Sequence, residues 1–160
     1  MVYIFLDVDG VLNNKFHYKK LHKKYGGRFN MQNMPFNPRS LKNLHRIVKK
    51  YDAKIILSSS WRHSDKCMTV LEARLIEYGM KIHDKTFTFE SLSTRGEEIA
   101  AWCAEYARPG DKILIIDDKL YDLEKHFNMT GILKVNRYKG LTFGKMLEGI
   151  RKLYEQQPMK

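Results

Sequence analysis

Val2-Tyr3-Ile4-Phe5-Leu6-Asp7-Val8-Asp9-Gly10-Val11-Leu12-Asn13 decides the fold of this chain. Five apolar residues run straight into two aspartates one residue apart. An apolar run of this length reads as a strand buried on both faces, as in a parallel sheet. Such a strand ends here in two carboxylates, and burying a carboxylate is costly unless a cation or hydrogen bonds compensate. Open α/β sheets place ligands at the carboxyl ends of their strands. The stretch therefore predicts a metal-assisted site at a strand tip. Gly10 lets the chain turn sharply there and leaves room for a ligand. An Asx-type turn after a strand would carry the same letters, so the rest of the chain has to complete the site.

Working outward, further short strands are predicted at Lys54–Leu57, Lys112–Ile116 and Ile132–Val135, with a weaker one at Lys81–His83. Helices are predicted between them. Asn37-Pro38 is an N-cap followed by proline at the first helical position, and Leu41, Leu44, Ile47 and Val48 follow at helical spacing. A second helix is predicted from about Cys67 to Tyr78, stopped near Gly79. Thr94-Arg95-Gly96-Glu97 has the form of a capping box. It opens a helix through Ile99, Trp102 and Tyr106 that ends at Pro109-Gly110. Asp118 to Phe127 reads as a short helix, and Thr142 caps a last one. The alternation predicts an α/β fold, a three-layer doubly wound and mainly parallel sheet. The 160 residues fit a single domain, 1–160. Residues 13–36, rich in Lys, Tyr, Phe, His and Gly, give no clear periodicity and stand as an insert.

Other strand ends repeat the pattern of the first. Ile55-Ile56-Leu57 stops at Ser58-Ser59-Ser60-Trp61-Arg62. Hydroxyls and free amides at a strand end suit an anion, and Arg62 offers a fork for phosphate. A serine-rich turn with a surface arginine is the plainer alternative. Arg95 sits at a helix start, where a cation opposes the helix dipole, which suggests a role in neutralising a phosphoryl group or a carboxylate; a solvated surface arginine is the plainer alternative. Ile113-Leu114-Ile115-Ile116 runs into Asp117-Asp118, with Asp122 four residues on. Mg²⁺ takes a few carboxylates plus water. Asp7, the backbone carbonyl of Asp9 and Asp118 would supply such a set, with Asp122 orienting its neighbours. Helix capping is the alternative role for these acids.

These pieces, in this order, resemble the haloacid dehalogenase (HAD) superfamily of phosphatases and phosphotransferases. The resemblance covers about residues 1–135. The details Asp-Gly-Val-Leu-Asn and Ser-Ser-Trp-Arg are similar to a small HAD branch of RNA-repair-type and phage proteins. The resemblance implies Asp7 as nucleophile, Asp9 as general acid/base, and Ser58 and Arg95 as phosphoryl ligands. Lys85 is a second candidate for that cation. Gly10, Ser59 and Arg62 would line the substrate site, with Mg²⁺ at Asp7, Asp9, Asp117 and Asp118. An acid at Asp9 favours phosphate transfer over dehalogenation, because a leaving alkoxide needs a proton. Neither the first insert nor residues 63–94 form a large lid, so the site is expected to be open to large substrates.

The net charge of +11, from 29 Lys+Arg against 18 Asp+Glu, predicts a surface that attracts polyanions. The insert interleaves Lys15, Lys19, Lys20, Lys23, Lys24 and Arg28 with Phe16, Tyr18, Tyr25 and Phe29. That mixture suits a nucleic-acid strand, and suits equally a flap whose rings pack on the body. The substrate expected is a phosphorylated nucleic-acid end. The alternatives are a nucleotidase acting on free mononucleotides and a non-catalytic nucleic-acid-binding module on a HAD scaffold. A phospho-accepting receiver domain fits less well, because Ser58 stands at the second strand's end. Cys67 and Cys103 lack metal-clip or disulfide spacing and read as reduced thiols. No signal peptide and no run of about 20 apolar residues is present, so the chain reads as cytoplasmic, without a membrane partner. Oligomeric state is not legible in the sequence.

Overall fold

The strand predicted first is β1 (Val2–Leu6), and it lies at the centre of the sheet. The computed structural model describes residues 1–27, 36–88 and 93–156. The other strands are β2 (Lys54–Leu57), β3 (Ile82–Lys85), β4 (Lys112–Asp117) and β5 (Ile132–Lys134). All pairings are parallel, in the order β3-β2-β1-β4-β5. The chain winds outward from β1 to β3, then crosses over to β4 and winds the other way. The strand order therefore reverses between β1 and β4, where this class of sheet opens a crevice at its carboxyl edge.

Alternation along β1 divides the core into two layers. Ile4 and Leu6 point into one layer and Tyr3 and Phe5 into the other. The first layer is closed by α2 (Pro38–Tyr51), α3 (Asp65–Ile76) and α6 (Phe143–Glu155), through Leu44, Ile47, Leu71, Leu75, Met146 and Leu153. The second is closed by α4 (Arg95–Tyr106) and the short α5 (Leu123–His126), through Ile99, Trp102 and Leu123. Trp102 meets Tyr3 and Phe5 edge-on, with ring centroids 5.0 and 5.3 Å away. Its indole N–H donates to Asp84 at 2.7 Å, so its one polar atom is satisfied. Cys103 is a free thiol pushed up to about 12 by burial, which makes it an inert packing group. None of the described helices is long and apolar enough to cross a membrane.

Three expectations change. Within the unassigned stretch 13–36, Lys15–Tyr25 forms a helix, α1. Asn14 caps it by accepting from the His17 amide at 3.0 Å, and Gly26 ends it with a φ of 66°. None of its residues is buried, so no apolar stripe marked it in the sequence. Residues 28–35 of that stretch, Arg28 and Phe29 among them, lie outside the described residues. The helix predicted over Asp118–Phe127 shrinks to Leu123–His126, because Asp118 serves the crevice and Tyr121 takes a φ of 47°. The weak strand shifts to Ile82–Lys85, and Lys85 is exposed there at the sheet edge, away from the crevice.

Candidate active site

Sheet register sets the site. Leu6 pairs with Ile116, and the Asp7 amide donates to the Ile116 carbonyl at 3.0 Å. The carboxyl ends of β1 and β4 therefore lie side by side, and with them Asp7 and Asp117. Asp7, Asp117 and Asp118 each present an oxygen, and the three atoms lie within 4.8 Å of one another. After Asp7 the chain folds into a tight loop in which the Leu12 amide donates to Val8 and the Gly10 amide to Asn13. Gly10 has a φ of 82°, and a Cβ there would come within 2.7 Å of an Asp118 oxygen. Only glycine allows this loop to lie against the acid cluster. The loop turns Asp9 away from that cluster. One Asp9 oxygen accepts from Trp61 Nε1 at 2.9 Å and the other from Asn13 Nδ2 at 2.8 Å. Its side chain is not one of the three clustered carboxylates, which leaves its backbone carbonyl as the ligand it could offer a metal.

Arg95 reaches the cluster from the second layer. Its Nη1 lies 3.1 Å from Asp117 Oδ2, 3.6 Å from Asp7 Oδ1 and 3.5 Å from Ser58 Oγ. The start of α4 is held on two sides. Thr94 and Glu97 form the expected capping box. From the adjoining turn before α5, Asp122 accepts from the Gly96 amide at 2.9 Å and from the Thr94 hydroxyl. A Cβ on Gly96 would meet Asp122 at 2.7 Å and His126 at 2.6 Å. Asp122 thus places a negative charge against a helix N-terminus that begins with a cation, and the two effects offset.

Ser58 and Ser59 are buried beside the cluster, and the Ser59 side chain acts to lower the Asp7 pKa. Arg62 is placed differently from the expected phosphate fork. Its Nη1 donates to the Ser58 and Ser59 carbonyls at 2.8 and 3.0 Å, and its Nη2 pairs with Glu98 at 2.7 Å. Its guanidinium clamps the serine turn to α4. A cleft of about 690 Å³ opens over the cluster, with Asp9, Gly10, Arg95 and Asp118 in its wall. Lys15, Tyr18, Lys119, Tyr121 and Arg137 join its lining, none of them singled out beforehand for this site as cleft residues. Lys119 was discoverable, since it follows the acidic pair. Arg137 approaches Asp118 to 3.8 Å only because the fold returns the chain there after β5.

The electrostatics are those of an under-compensated acid cluster. Burial pushes the Asp7 carboxyl up, against the opposing pull of Arg95 and of hydrogen bonds from Ser59 and Val8. Burial, reinforced by the facing Asp7, pushes Asp117 up to about 7, again against Arg95. Three clustered carboxylates offer hard oxygen ligands, and Arg95 with the more distant, half-exposed Arg137 does not fully balance them. This donor set fits a divalent cation such as Mg²⁺.

No curated protein and no solved structure matches the chain significantly. The family described as the HAD domain in Swiss Army Knife RNA repair proteins matches residues 3–145, which contain the whole acid cluster and Arg95, and the chain belongs to that family.

Proposed function

We propose that this HAD domain is a Mg²⁺-dependent phosphatase that hydrolyses a phosphomonoester on a nucleic-acid end through an aspartyl-phosphate. The observation that carries the reading is the convergence of Asp7, Asp117 and Asp118 with Arg95 at the reversal point of the sheet. An Asp7 oxygen attacks phosphorus and the bond to the leaving oxygen breaks. Asp9 gives that oxygen its proton. Trp61 and Asn13 use one lone pair on each Asp9 oxygen, so a further lone pair remains on each to carry the proton. Asp9 then takes a proton from water, which attacks phosphorus, releases phosphate and regenerates Asp7. Arg95 and Ser58 hold phosphoryl oxygens, and Ser59 orients Asp7. Mg²⁺, held by Asp7, Asp117, Asp118 and the Asp9 carbonyl, would supply charge neutralisation between carboxylate and phosphate.

The nucleic-acid end is supported by the family and by the +11 charge. A phosphate-release assay with Mg²⁺ tests the reading, comparing mononucleotides with 3′- and 5′-phosphorylated oligonucleotides. Oligonucleotides should be preferred, and the preference should weaken with salt. Asp7→Asn should lower kcat by at least about 10³-fold, the scale on which loss of a nucleophile is felt. Near-normal turnover by that variant refutes the mechanism. Better turnover of free mononucleotides makes the protein a nucleotidase, and binding without hydrolysis makes it a binding module.

A further inference from the structure

A second groove, of about 870 Å³, runs between α1, the start of α2 and the turn leading into α6. Lys20, Arg39, Lys42, Arg46 and Lys139 line it, and no carboxylate does among the described residues. Phe16 and Phe143 stand in the same wall, 53% and 56% exposed. The Arg46 guanidinium lies 5.6 Å from the Phe143 ring centroid. Asn14 lines both this groove and the catalytic cleft, so the two meet at the start of α1. Two buried donors are unused at that junction. Asn14 Nδ2 and Ser40 Oγ have no hydrogen-bond partner among the described residues. They converge on Gly140, where an added Cβ would meet them at 2.9 and 3.0 Å.

Five cations in one concave wall without a counter-charge repel one another and attract a polyanion. A single phosphate uses only one or two of them, whereas a strand uses them in succession. Two solvated rings among the cations add faces on which bases stack. We propose that this groove binds a single-stranded polynucleotide, its backbone on the cations and its bases on Phe16 and Phe143. The strand passes Asn14 and Ser40 and delivers its terminal phosphate to Asp7; this last step rests on the phosphatase reading.

The test uses the triple variant Arg39→Gln/Lys42→Gln/Lys139→Gln, all three side chains being exposed. Binding of a labelled, unphosphorylated single-stranded RNA of about ten nucleotides, within the usual site size, is followed by fluorescence anisotropy across a salt series. The variant should bind at least about tenfold more weakly, and its log–log salt slope should flatten by about 2, at ~0.7 per lost phosphate contact. Its Mg²⁺-dependent hydrolysis of an aryl phosphate should stay within about twofold of the parent, a change under 0.5 kcal/mol. Phe143→Ala should weaken RNA binding and leave binding of inorganic polyphosphate unchanged. Parental affinity and slope in the triple variant overturn the proposal. So does equal or tighter binding of a duplex of the same sequence, or a Phe143→Ala variant that binds RNA normally. A parent protein that hydrolyses no aryl phosphate defeats the phosphatase reading alone, because the anisotropy series still decides the groove.

Discussion

Replacing Asp122 by alanine tests whether the start of α4 is held in place by the turn that leads into α5. Asp122 makes no hydrogen bond or ion pair with the acid cluster or Arg95; it accepts from Gly96 and Thr94 and faces His126 at 3.2 Å. Hydrogen bonds to a charged group contribute about 1.5–3 kcal/mol each, and a carboxylate at a helix N-terminus adds ~0.3–1 kcal/mol. The bonds share one carboxylate and are partly open to water, so a loss of about 3 kcal/mol is expected rather than their sum. For a chain of this size that is a fall in Tm of roughly 6–12 °C by circular dichroism or calorimetry. Freed from Asp122, the first turn of α4 shifts and takes the Arg95 guanidinium with it. A displacement near 1 Å lowers catalysis by about 10²-fold, so aryl-phosphate turnover should fall on that scale at a temperature where the variant is folded.

The pH dependence of the same variant supplies a second readout. Burial acts to raise the Asp122 pKa, but hydrogen bonds from Thr94 and Gly96 and the neighbouring His126 outweigh it, and the group ends below its usual value. A carboxyl depressed in the folded state stabilises the protein above its unfolded pKa, and that stability is lost as pH falls through the folded one. The gap in Tm between parent and variant should therefore be full at pH 6–7 and shrink below about pH 4. A fall in Tm without loss of turnover refutes the positioning argument, and an unchanged Tm refutes the energetics.

Arg95→Ala should lower kcat/KM by about 10²–10³-fold, as removal of a donor aimed at developing charge does. Arg95→Lys should recover only part of this, because one ammonium does not span Ser58, Asp7 and Asp117 together. A lysine variant with full activity would show that charge alone suffices. Metal binding should couple to pH through Asp117, raised to about 7, and through Asp7, also raised. A carboxyl raised in the folded state binds its proton more tightly there, so metal-free protein should lose stability as pH rises from about 4 through 7. Mg²⁺ must displace that proton, so the gain in Tm on adding it should be larger at pH 8 than at pH 6. A gain independent of pH would remove Asp7 and Asp117 from the metal site.

Much of this architecture was legible because local chemistry and global topology agree. β1 and β2 fall on their predicted residues since both are apolar runs buried on two faces. Asn37-Pro38, Thr94 with Glu97, and Thr142 cap the helices they were expected to cap. Juxtaposition of Asp7 with Asp117 follows from one rule, that a doubly wound sheet reverses at its crevice. What escaped prediction depends on contacts the sequence does not display. Helix α1 buries none of its residues fully, so only Asn14 and Gly26 marked its ends. Arg62 looked like a free fork because Glu98, its partner, lies 36 residues away. Asp122 was expected to orient the acid pair four residues before it, yet its carboxylate serves the cap of α4.

The division of charge over the surface ties these features together. Asp7, Asp117 and Asp118 against Arg95 leave the floor of the cleft acidic, in a chain whose net charge is +11. That floor repels a phosphate dianion unless a divalent ion sits among the acids, since like charges at this separation interact strongly where water is scarce. The rim and the adjoining groove have the opposite sign, through Lys15, Lys119 and Arg137 above the cleft and Lys20, Lys42 and Lys139 beyond it. On the proposed reading, a polyanion would be attracted to the groove whether or not metal is present, while its terminal phosphate would be admitted to the floor only with metal. Binding of the strand and commitment to chemistry would then be separated, the groove selecting by length and salt and the floor by metal and pH. Because Asn14 lines both groove and cleft, the two selections would follow one another along one strand.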